Sequence, residues 1–262
     1  LYTCAYYDTP AATLEEAQVA KLDHVCRKLQ LQPGQKVIEA GCGWGALALH
    51  MAEHYGVEVT AYNNSKEQVA YARERAAATG LDDRVTFVED DYRTIDTRCD
   101  AFVSVGMLEH VGRGSYKELG ALIKRVLKPD GFGLIHSIGR SFPQIPDPWI
   151  AKYIFPGGHI PSLAEAMAVF EPHKFSVLDV ENLRPHYART CAEWLANFEA
   201  VTDRVADMYS EEFVRMWRLY LAGSSSAFES GTLQLFQIVF TPRGNNDVPW
   251  TREYQYPQAA DT

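Results

Sequence analysis

The sequence predicts an α/β fold: a doubly wound, mostly parallel seven-stranded sheet with a helical and looped insertion covering the substrate side. Three observations predict it. Short apolar runs alternate with helical periodicity as βαβαβαβ through the first half of the chain. The run Val37-Ile38-Glu39-Ala40 passes straight into Gly41-Cys42-Gly43-Trp44-Gly45, and a helical pattern starts at Ala46. The last strands follow only after an irregular stretch rich in proline, glycine and aromatics. A buried parallel strand reads as a short apolar run, and a loop that brings backbone close to a ligand needs residues without a Cβ.

Thr13 with Glu16 forms a capping-box signature, and Leu14, Leu22, Val25 and Leu29 follow at helical spacing. Pro33-Gly34 breaks that helix just before the first strand, and the second helix runs from about Ala46 to Tyr55 with Gly56 as its stop. After the strand Glu58 to Tyr62, Ser65 and Gln68 make another capping box, opening a helix that ends near Gly80. Val85 to Glu89 is a third strand closing on Asp90-Asp91-Tyr92, and Ala101 to Val105 is a fourth, followed by Gly106-Met107-Leu108-Glu109-His110-Val111-Gly112. A helix from Ser115 to Val126 leads through the turn Lys128-Pro129-Asp130-Gly131 to a fifth strand reaching His136. Residues 141–161 are too irregular for a helix and too apolar for a plain linker; they read either as a substrate-covering insertion or as a loop packed on the core. Phe175 to Val180 is a sixth strand, helical patterns run from about Thr190 to Met208 and from Glu211 to Phe228, and Gln234 to Thr241 is the last strand. The expected organisation is one domain over 1–243, with the insertion at about 141–230, and an unstructured tail over 244–262.

Ligands in open α/β sheets bind beyond the carboxyl ends of the strands, where the strand order reverses. Candidate residues are therefore Gly41 to Gly45, Asn63, Asn64, Asp91, Tyr92, Glu109 and His136. The helix after the glycine loop offers its unpaired N–H groups and positive dipole end to whatever lies there. Gly41, Gly43 and Ala46 loosely satisfy a dinucleotide fingerprint, but Asn63-Asn64 stands where that reading needs an acid for the ribose. The spacing Glu39-x-Gly41-x-Gly43-x-Gly45 fits better with Rossmann-like class I methyltransferases, which use S-adenosylmethionine.

Composition narrows the remaining classes. With 262 residues, 47% of them hydrophobic and 23% charged, the chain has the make-up of an ordinary globular protein with room for one large core. A net charge of -9 argues against nucleic acid as a partner and against strong electrostatic adhesion to anionic lipid. Five cysteines, with no C-x-x-C pair, read as free thiols in a reducing cytoplasm and point to no metal site. No apolar run is long enough to span a bilayer, and a start at Leu1 reads as a trimmed fragment.

The sequence resembles the cyclopropane-fatty-acyl-phospholipid synthases over nearly the whole chain up to about Phe240. The glycine loop carries part of that likeness, as do Tyr2-Thr3-Cys4-Ala5-Tyr6-Tyr7, Asp91-Tyr92-Arg93 and Ser104-Val105-Gly106-Met107-Leu108-Glu109-His110-Val111-Gly112. Ser65-Lys66-Glu67-Gln68, Asp147-Pro148-Trp149-Ile150 with Lys152-Tyr153-Ile154-Phe155-Pro156, and Gln234-Leu235 with Gln237-Ile238-Val239-Phe240 match too, and Glu109-His110-Val111-Gly112 together with Tyr153-Ile154-Phe155-Pro156 is far more specific than the glycine loop. Bacterial members often carry a further N-terminal domain, absent from this sequence.

The resemblance implies that the methyl of S-adenosylmethionine adds to a cis double bond of a phospholipid acyl chain, giving a carbocation that loses a proton and closes a ring. It implies a bicarbonate ion as general base, with ligand positions at Cys4, Glu109, His136, Tyr187 and the backbone of Ile138. For the cofactor it carries over Tyr2, Thr3, the loop from Glu39 through Gly41, Gly43 and Gly45, then Asn63, Asn64, Gln68, Asp91 and Tyr92. Asp91 is suited to accept from the adenine amino group, and amides at Asn63 and Asn64 can bond ribose hydroxyls, although Thr-Leu or Thr-Ile is usual there. Ring faces able to stabilise the cation are Tyr2, Trp44, Tyr153 and Tyr187. Ser224 stands where the family frequently has cysteine and reads as a packing residue. The implied setting is the inner membrane face, with peripheral membrane contact and a possible homodimer. Competing readings are a methyl- or methylene-branching enzyme, a small-amine N-methyltransferase, and a non-catalytic cofactor- or lipid-binding protein.

Overall fold

In a computed structural model, which describes residues 1–257, each of the expected apolar runs becomes a strand of one seven-stranded sheet. The strands are β1 (Lys36–Ala40), β2 (Glu58–Asn63), β3 (Val85–Glu89), β4 (Cys99–Val105), β5 (Leu127–Gly139), β6 (Phe175–Asn182) and β7 (Gln234–Pro242), in the order β3-β2-β1-β4-β5-β7-β6. The pairings from β3 through β5 are parallel, and β7 runs antiparallel to both of its neighbours. The winding reverses between β1 and β4, so the crevice beyond their carboxyl ends is the expected ligand position.

Ten α-helices among the described residues follow the chain as α1 (Leu14–Lys28), α2 (Ala46–Tyr55), α3 (Lys66–Thr79), α4 (Leu108–Val111), α5 (Tyr116–Val126), α6 (Pro148–Tyr153), α7 (Leu163–Ala166), α8 (Arg184–Glu199), α9 (Thr202–Met208) and α10 (Glu211–Glu229). Apolar cores lie on both faces of the sheet. On one, Leu22, Val25, Leu47, Met51 and Val69 pack against Val37, Val59 and Phe87. On the other, α5 lays Tyr116, Leu119, Leu122, Ile123 and Val126 along a single stripe over Ile38, Phe102 and Ile135. Each such side chain, fully buried, contributes roughly 1.5–3 kcal/mol.

Several local expectations are corrected. The Thr13–Glu16 capping box is complete, but at Ser65 only half of one forms. The Ser65 hydroxyl accepts from the Gln68 N–H, while the Gln68 side chain accepts from Asn63 Nδ2 at 2.7 Å instead of returning to Ser65. The turn expected at Lys128–Gly131 lies within β5, as an irregular stretch between pairings at Leu127 and Phe132. Residues 141–161 are not wholly irregular: Asp147 accepts from the N–H groups of Trp149 and Ile150, and Pro148 opens α6, where a missing N–H costs nothing. The helix expected over 190–208 is two helices, broken at Ala200-Val201 and starting earlier, with Pro185 in its first turn.

The tail is the largest local departure. Its part beyond residue 257 lies outside the described residues, but residues 252–256 are ordered against α1 and β6. The Gln255 carbonyl accepts from Arg27 Nε at 3.0 Å and faces His24 Nδ1 at 3.1 Å, and Arg252 Nε donates to the buried Asp179 at 2.7 Å. Removing residues 244–262 strips these partners from His24 and Asp179, which are buried in the intact protein, and from the half-buried Arg27, each contact worth about 1–3 kcal/mol. At about 2–4 °C per kcal/mol the truncated protein is expected to melt at least about 4 °C lower in a thermal scan. An unchanged melting temperature would show that the segment contributes nothing.

Candidate active site

A cleft of about 940 Å³ opens at the reversal point, bounded by the glycine loop, the ends of β2, β3 and β4, the first three residues and Phe155. Among the expected cofactor residues, Tyr2, Thr3, Glu39, Gly41, Gly43, Asn63, Asn64, Gln68, Asp91 and Tyr92 all line it. Gly45 does not. At φ +81 a Cβ on Gly45 would lie 2.7 Å from the Phe87 ring and 2.8 Å from Ala72 Cβ, so this glycine seats the loop on α3 and β3 from behind. Gly41, at φ +85, lets Met107 press against the loop, since a Cβ there would come within 3.0 Å of Met107 Cβ.

The polar groups around the cleft divide into engaged and open. Asn63 spends its amide on the frame, donating to the Gly43 carbonyl at 3.1 Å and to Gln68 Oε1 at 2.7 Å and accepting from the Ser65 N–H at 3.1 Å. It therefore braces the glycine loop, and Asn64 is the better placed of the two for a ligand hydroxyl. Asp91 accepts from the Arg93 N–H at 2.9 Å and from its guanidinium at 2.8 Å, so the expected adenine acceptor shares its charge with Arg93. Glu39 is buried, and burial lifts its carboxyl to about 7, against the pull of Lys21 and the Ala48 N–H; its Oε2 has no partner. Lys21, a cleft residue that α1 periodicity alone would bury as core, donates to Thr3 Oγ1 at 2.9 Å. Burial brings its ammonium down to about 8.

The candidate base-holding residues sit deeper than this cleft. The Cys4 thiol is fully buried, contacts the Ala5 carbonyl at 3.1 Å, and is pushed well above its ordinary value by burial, so it stays a neutral thiol. Cys4, Ile138 and Tyr187 pack in one cluster with Leu183, Cys191 and Phe228. Burial also lifts the Tyr187 phenol, reinforced by Tyr220, Cys191, Cys4 and Glu109 nearby. The short helix α4 delivers Glu109 to the end of β5, where Oε1 accepts from the Ile138 N–H at 2.6 Å and Oε2 is buried with no partner. The Ile138 amide, expected to face the ion, is thus given to Glu109 instead. Burial raises the Glu109 carboxyl to about 7, opposed by N–H groups including that of Ile138 and by the Ser137 hydroxyl. His136 precedes Ile138 by two on β5 and so shares its face. Burial lowers its imidazole to about 3, with Lys21, Lys28 and His24 adding to the effect, which makes it a neutral hydrogen-bonding group.

The ring candidates separate by position. Tyr187 stacks on Phe228 at 4.5 Å and meets Trp194 edge-on at 6.0 Å within the buried cluster. Tyr2 stacks on Trp194 at 5.0 Å and bonds the Tyr220 hydroxyl at 3.1 Å. Trp44 stands at the cleft rim edge-on to Tyr71, and Tyr153 lies half exposed beneath Lys152, outside the cleft lining. Ser224, expected to pack, lies partly buried on α10.

Comparison with known proteins bears on the family and the fold. Residues 1–238 match the family model for mycolic acid cyclopropane synthetase. The chain is 44% identical over 241 residues to the cyclopropane-fatty-acyl-phospholipid synthase of Escherichia coli (strain K12), covering 92% of this chain and 62% of that protein. It thus spans about three fifths of that relative's length. It is 40% identical over 266 residues to a probable fatty acid methyltransferase of Pseudomonas putida, covering 97% and 68%. The crystal structure of the mycolic acid cyclopropane synthase CmaA1 complexed with SAH and CTAB superposes with a TM-score of 0.87 at 31% identity, covering 92% of this chain and 89% of that one. With the family model spanning all but its last residues and the strand order of class I methyltransferases, this chain belongs to the mycolic acid cyclopropane synthetase family.

Proposed function

We propose that the protein transfers a methylene derived from the methyl of S-adenosylmethionine onto the cis double bond of an unsaturated phospholipid acyl chain. A cyclopropane forms, with bicarbonate as the general base. The observation that carries this reading is Glu109: a buried carboxyl with one oxygen unpartnered and the other bonded to the N–H of Ile138, whose side chain packs in the cluster that holds the buried Cys4 thiol and the half-buried Tyr187 phenol. An orphaned acceptor of this kind costs about 1–3 kcal/mol unless something donates to it, and the single O–H of bicarbonate is such a donor.

When bound, S-adenosylmethionine supplies an electrophilic methyl, and bicarbonate supplies a base strong enough to take a proton from a cationic hydrocarbon. The rest is the work of this chain. Tyr2, Thr3, Asn64, Gln68 and Tyr92 line the cleft and hold the cofactor, with Asp91 shared between adenine and Arg93. Glu109 accepts the anion's O–H, while His136 and Tyr187 donate to its oxygens; the Cys4 S–H is donated to the Ala5 carbonyl at 3.1 Å, so the ion would have to draw it away. Two bare anions therefore never meet. The Tyr187 ring, stacked on Phe228, offers its face to positive charge developing on carbon, worth about 0.5–2 kcal/mol. An alkene is a weak nucleophile, so enclosure and alignment against the sulfonium supply much of the rate.

The setting in this reading is the cytoplasmic face of the inner membrane, reached by peripheral contact and with a homodimer as the assembly. No helix among the described residues is long and apolar enough to cross a bilayer. A second reading, methyl or methylene branching of the acyl chain, draws support from the 40% identity to a probable fatty acid methyltransferase.

The deciding experiment incubates the protein with vesicles of a cis-unsaturated phospholipid. With unlabelled donor, proton NMR of the product is expected to show ring CH₂ signals far upfield; with a trideuteromethyl donor, all but one deuterium is retained. Vinylic signals of an exocyclic methylene would install the second reading. Methylation of small amines with no product on vesicles would overturn both.

A further inference from the structure

Behind His136 lies a row of buried polar groups. Across the β5–β7 pairing Gln237 stands directly opposite His136, and across the β6–β7 pairing Glu181 stands opposite Gln237. Cross-strand partners project to the same face, so three strands place the imidazole, the amide and the carboxylate side by side. Lys28, from the last turn of α1, reaches into this row: its Nζ lies 2.8 Å from Gln237 Oε1 and 2.5 Å from Glu181 Oε2. Gln237 Nε2 lies 3.2 Å from His136 Nδ1. The same Glu181 oxygen is also met by His24 Nε2 at 2.7 Å. Lys28, His24 and Gln237 are all 0% exposed and His136 is 2% exposed, so the Lys28–Gln237 and Gln237–His136 contacts are shielded from solvent, while the Glu181 side chain is 22% exposed.

The hydrogen-bonding capacities leave one arrangement. An ammonium is a donor only, so the end of Gln237 that faces Lys28 must be its oxygen. The amide nitrogen, also a donor only, then faces His136, which fixes the orientation of an amide whose two ends look alike to diffraction. His136 Nδ1 must accept, and a neutral imidazole that accepts at Nδ1 carries its proton on Nε2. We infer that Lys28 and Gln237 are positioning residues that set the tautomer of His136, so that the ring offers the base-holding pocket an N–H donor rather than a lone pair. This rests on the reading of His136 as a donor to an anion. Glu181 and His24 hold Lys28 in its place in the relay.

Gln237→Glu tests the assignment. A carboxylate only accepts, so its second oxygen draws the His136 proton to Nδ1. The expected result has two parts, read on one protein. The ¹⁵N ring spectrum, assigned by the resonances lost in His136→Gln, switches from the Nε2–H to the Nδ1–H pattern. Turnover on unsaturated vesicles falls at least about 100-fold, on the scale by which a wrong imidazole tautomer slows a serine protease, with KM for S-adenosylmethionine unchanged. A merely structural role would move stability without switching the tautomer.

Calorimetric binding of S-adenosylhomocysteine shows whether the variant is folded. If Gln237→Glu fails that check, Gln237→Met decides: with no donor at Nδ1, both tautomers are expected and turnover falls less steeply. An Nε2–H pattern that persists alone in the folded variants overturns the relay, while Glu109→Gln still reports independently on the base-holding pocket. An Nδ1–H pattern with turnover within about threefold of the parent overturns both the relay's catalytic role and the reading of His136 as a donor.

Discussion

Glu109→Gln is expected to lower turnover on unsaturated vesicles by about 10²–10⁴-fold, the range for losing a positioned acid–base group. Cofactor binding should be left intact. The substitution keeps the shape and leaves an oxygen to accept from the Ile138 N–H, which the carboxylate does at 2.6 Å. It replaces the unpartnered Oε2 with an NH₂ group, so a donor would face the donor O–H of the ion. The pH dependence gives a second readout. Burial raises this carboxyl to about 7, so lowering the pH through about 7 protonates Glu109 and removes the acceptor. Parent turnover should fall on that acid limb, and the Gln variant should lack it. The stability sign is opposite: a carboxyl whose folded value lies above its unfolded one disfavours the folded state once it is charged. At pH 8 Glu109→Gln is therefore expected to melt no lower than the parent. Turnover within about threefold of the parent would remove Glu109 from the chemistry.

Gly45→Ala is expected to cost about 2–5 kcal/mol, measured as a lowered urea midpoint, and to weaken cofactor binding by displacing the loop. Two effects add here. A left-handed φ of +81 penalises any Cβ by roughly 1–2 kcal/mol. Overpacking against the Phe87 ring at 2.7 Å and Ala72 Cβ at 2.8 Å adds about 1–3 kcal/mol. Gly43→Ala is the matched control: its φ is +52 and a Cβ there meets nothing within 4 Å, so only the conformational part applies. Equal losses in the two variants would show that the packing of Gly45 behind the loop is not what holds it.

How legible the sequence was depended on the range of the interaction concerned. β3 matches its expected span residue for residue, α2 stops at Gly56, and the Thr13–Glu16 box is complete, because each is governed by neighbours within one or two turns. The glycine loop announced the cleft, since only residues without a Cβ suit its positive φ values. Asp147-Pro148 also held a local helix signal, masked by the prolines and glycines around it.

By itself, the sequence determined the doubly wound sheet, the cleft at its reversal point, and which residue types gather there. Only the tertiary structure decided that Gly45 faces backwards, that Asn63 braces the loop, that Lys21 lines the cleft and that the tail packs on α1. It alone joins His136 to Gln237 and Gln237 to Lys28, residues 101 and 209 positions apart. Periodicity and capping are set by contacts along the chain, whereas a buried polar group finds its partner only where the topology brings distant strands and helices together.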